Sequence, residues 1–167
     1  VTVFKESSLT NPTLSGFRTY SDRVGYGNLP SIRVRDLAKD KDGAIWLGTD
    51  KGVAVIYNPG NALTTSNADA QQVIIVQDGY AQYLLESEVV TAVTVDGANR
   101  KWFGTYSSGA FLLNSDGTQQ LLKFNTDNSP LPSNNIIDIT IDDKTGEVFF
   151  ATEKGIVSYR GDATEGG

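Results

Sequence analysis

The sequence predicts an all-β chain, a β-propeller segment of about three four-stranded antiparallel blades plus a partial one. Three observations carry that expectation. One motif recurs as DKDGAIWLGTDKGVAVI from Asp40, DGANRKWFGTYSSGAFLL from Asp96 and DKTGEVFFATEKGIVSY from Asp143. The step from Trp46 to Trp102 is 56 positions and that from Trp102 to Phe149 is 47, near the roughly 40–50 residues of one four-stranded blade. Between these anchors short apolar runs alternate with Gly, Asp and Asn turn signals, the pattern of strands joined by hairpins.

Taken in order, residues 1–31 read as outer strands of a truncated preceding blade, VTVFKES and GFRTYSD, with a connection onward. Residues 32–88 read as one blade and 89–135 as another. An incomplete blade at 136–161 stops without an outer strand, and 162–167 is a tail. Within the last blade, Ile137, Ile139 and Ile141 alternate with Asp138, Thr140 and Asp142, the period of a strand with one better-buried face. The counterpart VVTAVTV at 89–95 is more uniformly apolar, which suits an innermost strand with neighbours on both sides. FRTYSDRVGYGNLPS and FNTDNSPLPSNN resemble one another as connections into the next inner strand. Three and a half blades are fewer than the about four to eight that close a propeller. The expectation is therefore either a segment of a larger propeller or two copies meeting edge to edge.

Each motif position has a chemical reason. Asp40, Asp96 and Asp143 stand six residues before the aromatic anchor, where a carboxylate can bond the next backbone amides of a turn. Gly43, Asn99 and Gly146 tolerate the positive φ such a turn requires. Trp46, Trp102 and Phe149 supply a broad packing face, and Gly48, Gly104 and Ala151 two residues later let backbones approach. Thr49, Thr105 and Thr152 follow in register, and YSSG carries one inserted residue before Gly109.

Composition excludes several function classes. With 39% hydrophobic residues over 167 positions the chain can build a core. It has no apolar run approaching the roughly 18 residues of a transmembrane helix. A net charge of −6 argues against nucleic acid, whose binding draws on clustered Lys and Arg. Arg33, Arg35, Lys39 and Lys41 alternate with Asp36, Asp40 and Asp42 and read as a solvated, self-neutralising edge. The chain has no cysteine and no histidine, which removes disulfides, thiolates, the usual general base and the commonest metal ligand. It begins at Val1 and contains no methionine, as expected of a processed or excised piece of a longer protein.

At DKDGAIWLGTDKGV, with WFGTYSSGAF and the more diverged VFFATEKGIV beside it, the chain resembles the two-component regulator propeller repeat, over roughly residues 29–160. The stretch from Asn99, NRKWFGTYSSGAFLL, together with residues 126–167, further resembles the closing blades of PorZ-type surface propellers of the type IX secretion system. That resemblance implies a Bacteroidetes cell-envelope protein in the periplasm or at the cell surface, associated with the outer membrane. Its implied role is a non-catalytic platform for proteins and glycans, lipopolysaccharide included. The alternative implied by the same repeat is the periplasmic, oligosaccharide-sensing segment of a hybrid two-component sensor. A propeller lyase or hydrolase is a third reading, against which the missing histidine stands. The encoded sequence after Gly167 would separate the first two readings. Partners expected are other blades of the parent protein, cell-envelope proteins or glycans, and a second copy edge to edge, with no nucleic acid and no transmembrane segment.

Other motifs read as structure. Asp40-x-Asp42-Gly43 lacks the glutamate that an EF-hand needs at its twelfth place, where Lys51 stands. Gly25-x-Gly27 and GTDKG lack the full nucleotide-loop pattern. Asp142 with Asp143, and Glu86 with Glu88, read as solvated rather than as a glycosidase pair. Arg160-Gly161-Asp162 reads as a turn, and Pro12 spoils the sequon at Asn11. No catalytic residue, metal ligand or cofactor is expected. If a ligand binds, its site is expected on loops at one end of the propeller: Lys51; Tyr106, Ser107 and Ser108; Lys154; and Asn134 with Asn135 on the entry to a first strand. Trp46 and Trp102 are assigned to packing rather than sugar stacking.

Overall fold

The computed structural model describes residues 1–4, 16–65, 68–77 and 79–161. The tail at 162–167, Asp162 of the Arg-Gly-Asp tripeptide and the Asn11-Pro12-Thr13 stretch lie outside the described residues. The repeats fold as antiparallel sheets. The first copy gives β3 (Val34–Lys39), β4 (Ile45–Thr49) and β5 (Gly52–Ile56), preceded by a pair, β1 (Thr2–Phe4) with β2 (Phe17–Thr19). A hairpin follows, β6 (Ile74–Gln77) with β7 (Tyr80–Tyr83). The second copy gives four strands in chain order: β8 (Val90–Val95), β9 (Lys101–Thr105), β10 (Ala110–Leu113) and β11 (Gln120–Phe124). The third gives β12 (Ile136–Asp142), β13 (Glu147–Thr152) and β14 (Gly155–Arg160). The chain is an all-β propeller segment.

The first strands of the three copies lie side by side, β3 against β8 and β8 against β12. Each has the same irregularity, an extra residue at Arg35, Thr91 or Ile137 that slips the register against the second strand. Specific bonds tie them together. The Val93 amide donates to Asp36 Oδ2 at 2.7 Å, and Thr91 Oγ1 donates to the Ile136 carbonyl at 2.6 Å.

Alternation along the strands sends side chains to both faces of each sheet, so cores form between sheets. Trp46, Val53 and Val55 pack against Val90, Val93, Phe103 and Phe111. Trp102, Ala110 and Leu112 pack against Ile136, Ile139, Val148 and Phe150. Leu47, Ala54 and Ile56 pack back onto Tyr20, Leu29, Ala62 and Ala70. Each large apolar side chain buried this way contributes roughly 1.5–3 kcal/mol. Gly48 and Gly104 permit the approach: a Cβ on Gly48 would lie 2.8 Å from Val90 Cγ1, and one on Gly104 2.5 Å from Ile136 Cγ2.

Three expectations change. The fourth strand of the first copy is reduced to one bridge, Val55 with Gln71, before the chain leaves as the β6–β7 hairpin. The segment ahead of Gln71 is held elsewhere, because Asp69 accepts from the Gly25 and Gly27 amides at 2.5 and 2.8 Å and from Arg18 at 3.3 Å. The third copy forms its turn on Asp142 rather than Asp143. Its hairpin is one residue shorter, with Asp142 opposite Glu147 where Lys39 faces Ile45, so the carboxylate that accepts the Lys144 amide is one position earlier. Asp40 is not part of a solvated edge; it is buried. Gly43, Asn99 and Gly146 do take positive φ, at 90°, 62° and 70°. No helix among the described residues is long and apolar enough to cross a membrane.

Candidate functional site

The loop after each second strand is built by its threonine. Thr49, Thr105 and Thr152 hydroxyls donate to the carbonyls of Gly52, Gly109 and Gly155 at 2.9, 2.8 and 2.8 Å. The same oxygens accept the amides of Lys51, Ser108 and Lys154. The inserted residue of YSSG is absorbed here, since Ser108 is three residues beyond its threonine whereas Lys51 and Lys154 are two beyond theirs. Sequence register located these threonines without disclosing this hydrogen-bonding role.

These loops meet the entries to the first strands in one hydrogen-bonded arc across three copies. Beside Lys51, the Gly52 amide donates to the Glu88 carbonyl at 2.9 Å. The Ser108 hydroxyl donates to Glu88 Oε1 at 2.6 Å, and the Gly109 amide to the Asn134 carbonyl at 3.0 Å. Asn135 Nδ2 and Ser133 Oγ donate to the two carboxylate oxygens of Glu153, which neighbours Lys154. The predicted residues therefore do share one end of the molecule. They divide by role: Ser108, Asn134 and Asn135 use side-chain groups to hold the loops, Asn134 Oδ1 accepting the Thr126 amide at 2.8 Å. Lys51, Tyr106, Ser107 and Lys154 are exposed.

Two carboxylates along this end, Asp50 and Glu153, are held below their ordinary range. Asp50 lies below the usual range because Arg35 Nε donates to it at 2.6 Å, with the charges of Arg35 and Arg33 adding to that bond. Glu153 is lowered by the hydroxyl of Ser133 and then by Asn135. Fixed acceptors beside exposed ammonium groups and a phenol can bind a polar ligand by hydrogen bonds and stacking.

Sequence reasoning missed a cleft that opens beside this arc. It measures about 370 Å³ and lies between the β6–β7 hairpin and the β10–β11 pair, with Gln82, Tyr83, Glu88, Phe111 and Lys123 on its walls. Glu88, read from the sequence as solvated, is half-buried and joins the cleft to Ser108. Lys123 Nζ stands 4.9 Å from the Phe111 ring centroid. The one signal in the sequence was the longer first step, 56 against 47, whose surplus falls in the stretch that forms the hairpin and its approach. Trp46 and Trp102 are each 1% exposed, so neither offers a face to a ligand.

The family model for the two-component regulator propeller matches residues 28–51, from the entry of β3 to the loop at Lys51. A solved structure of PorZ, described as an essential surface component of the type IX secretion system of Porphyromonas gingivalis, matches with a TM-score of 0.75 and 30% identity over 80% of this chain. The chain carries a two-component regulator propeller repeat. It spans 18% of the PorZ chain it matches. Extracellular domains of two putative hybrid two-component systems of B. thetaiotaomicron also match, at 20% and 16% identity, over 87% and 83% of this chain and 23% and 22% of theirs. Their TM-scores of 0.45 and 0.39 decide nothing about this chain. A search of the curated proteins finds no match. The matched stretch includes Lys51, while Tyr106, Ser107, Ser108, Asn134, Asn135 and Lys154 lie beyond it.

Proposed function

We propose that this chain is a non-catalytic propeller segment of a bacterial cell-envelope protein, placed at the cell surface or in the periplasm. It serves there as a platform for proteins and glycans in type IX secretion. The observation that carries the reading is the 30% identity to PorZ over 80% of this chain. A non-catalytic role is supported by chemistry: with no histidine in the chain, the Ser108–Glu88 contact has no imidazole to serve as general base. The ligand would meet Lys51, Tyr106, Ser107 and Lys154 at the loop end and Tyr83, Gln82 and Lys123 in the adjoining cleft, an aromatic face with amides and cations suited to an anionic glycan such as lipopolysaccharide.

The test is binding of purified anionic lipopolysaccharide and of a neutral oligosaccharide panel, compared between the unaltered chain and Tyr106→Ala, Lys51→Ala and Lys123→Ala. Weaker binding of the anionic glycan by the lysine variants supports the reading. Binding unchanged in all three, or turnover of any polysaccharide, would sink it.

A further inference from the structure

The hairpin that lengthens the first copy carries an open strand edge. Ile74 and Val76 are 56% and 68% exposed, and with their cross-strand partners Tyr83 and Ala81 they form an outward apolar face. Ile75 between them is buried in the core that holds Trp46 and Val90. The Leu84 amide donates to the Val73 carbonyl at 2.8 Å, which makes 73 with 84, 75 with 82 and 77 with 80 the hydrogen-bonded pairs of this hairpin. The N–H and C=O groups of Ile74 and Val76 therefore point away from β7. Since β6 pairs with β7 alone, these four groups have no partner among the described residues. The β7 edge is less open, because the Tyr83 carbonyl accepts the Glu86 amide at 3.2 Å.

Edges of this kind are ordinarily guarded by a charge, a bulge or a cover. β11, the outer strand of the second copy, carries Lys123 and slips register against β10 between Leu112 and Leu113. β6 keeps an unbroken register against β7, and neither strand of the hairpin contains a charged residue. That neutrality decides what can approach in a chain of net charge −6, since two copies repel one another wherever their acidic surfaces face. At β6 they meet without bringing charges together. An antiparallel pairing centred on Ile75 sets Ile74 of each copy opposite Val76 of the other, β-branched residue beside β-branched residue. The four open groups of one strand then bond the four of its mate. A two-stranded hairpin, marginal by itself, becomes half of a four-stranded sheet.

We infer that β6 is a self-association edge: two copies of this chain join in the order β7–β6–β6–β7 about a two-fold axis at Ile75. The contact lies on the hairpin, not on the edge of a repeat's own sheet, and it leaves Gln82 and Tyr83 of β7 outside the pairing. A four-residue edge buries less than the about 800 Å² per partner of a standard stable interface. The dimer is therefore reversible and concentration-dependent.

Sedimentation over a range of protein concentrations, with amide exchange followed by mass spectrometry in peptides covering residues 73–77, is the test. The expected result is a reversible rise toward twice the single-chain mass, with exchange of the Ile74 and Val76 amides slowed at least about fivefold where the dimer dominates. A constant single-chain mass overturns the inference, as does association that leaves those amides unprotected. Two double variants examine the register. Ile74→Lys with Val76→Lys, and Ile74→Glu with Val76→Glu, place like charges directly opposite across the two-fold axis, so each is expected to stay single. Mixed in equal amounts, the two are expected to associate. Dimers formed by either variant alone, or a mixture that stays apart, refute pairing at β6. Both side chains are exposed, so the variants keep the melting temperature of the unaltered protein.

Discussion

Asp40 and Lys101 form an ion pair across the boundary between two blades, with Lys101 Nζ 3.2 Å from Asp40 Oδ2, and they are 7% and 0% exposed. The ammonium also donates to the carbonyls of Asn99 and Ser115 and lies 5.0 Å from the Trp46 ring centroid. The carboxylate accepts from Trp46 Nε1 and the Ala44 amide, both at 2.8 Å, and from the Asp42 amide at 3.0 Å. A turn, a packing aromatic and the next blade are thus joined at one carboxylate. Such pairs persist only where the remaining hydrogen-bonding capacity is satisfied, as it is here.

Breaking the pair from the acidic side should be the costlier change. Asp40→Ala strands an ammonium deep between blades and leaves the Trp46 indole unbonded, a loss of about 3–5 kcal/mol. Lys101→Met leaves Asp40 with three donors and should cost less. Urea denaturation of both single variants and of the double variant measures this, and a double variant no worse than Asp40→Ala alone is the expected outcome.

Acid should weaken the fold through the same carboxylate. Burial pushes Asp40 upward, but the bonds from Trp46, Ala44 and Lys101 outweigh it and hold the group below its ordinary value. A group depressed in the folded state binds protons more readily when unfolded, so its contribution is present above the unfolded pKa and is lost as pH falls through the folded one. Melting temperature should therefore fall on descending from neutral pH through the carboxylate range. That fall should be shallower in Asp40→Asn.

The two tryptophans should respond differently to loss of the indole nitrogen. Trp46 Nε1 is bonded to Asp40, whereas Trp102 Nε1 is buried without a partner among the described residues because Arg100 Nε occupies Asp96 Oδ2 at 2.7 Å. Trp46→Phe should cost about 1–3 kcal/mol beyond the change in packing. Trp102→Phe should show only the packing loss. The third copy already carries Phe149 at this place. Equal losses in thermal denaturation would contradict the assignment.

Gly104→Ala should be destabilising by about 1–3 kcal/mol, since the added methyl falls 2.5 Å from Ile136 Cγ2. Ile136→Ala removes that atom, so the double variant should lose less than the two single losses combined. Simple additivity in a double-mutant cycle would show that the blades move apart instead.

The strands were legible because their evidence is local: period-2 alternation, turn residues and a motif written three times. Where the sequence misled, the deciding partner was distant. The alternating Lys and Asp around residue 40 look solvated until Lys101, 61 positions later, is seen against Asp40. Asp143 and Asp142 cannot be told apart as turn residues without knowing that the third hairpin is one residue shorter. Among the site residues, nothing in the sequence distinguishes Asn134, whose side chain braces the Thr126 amide, from Tyr106, which is exposed.

From the residues alone came the fold class, the turn glycines and Asn99, and the packing role of Trp46 and Trp102, because each depends on backbone conformation or on a spacing that repeats. Tertiary structure decided which charges are buried, which loops share an end, and that Glu88 links Ser108 to a cleft. Those outcomes depend on how successive sheets stack, and the stacking is set by contacts between residues about one blade apart, Gly48 with Val90 and Gly104 with Ile136.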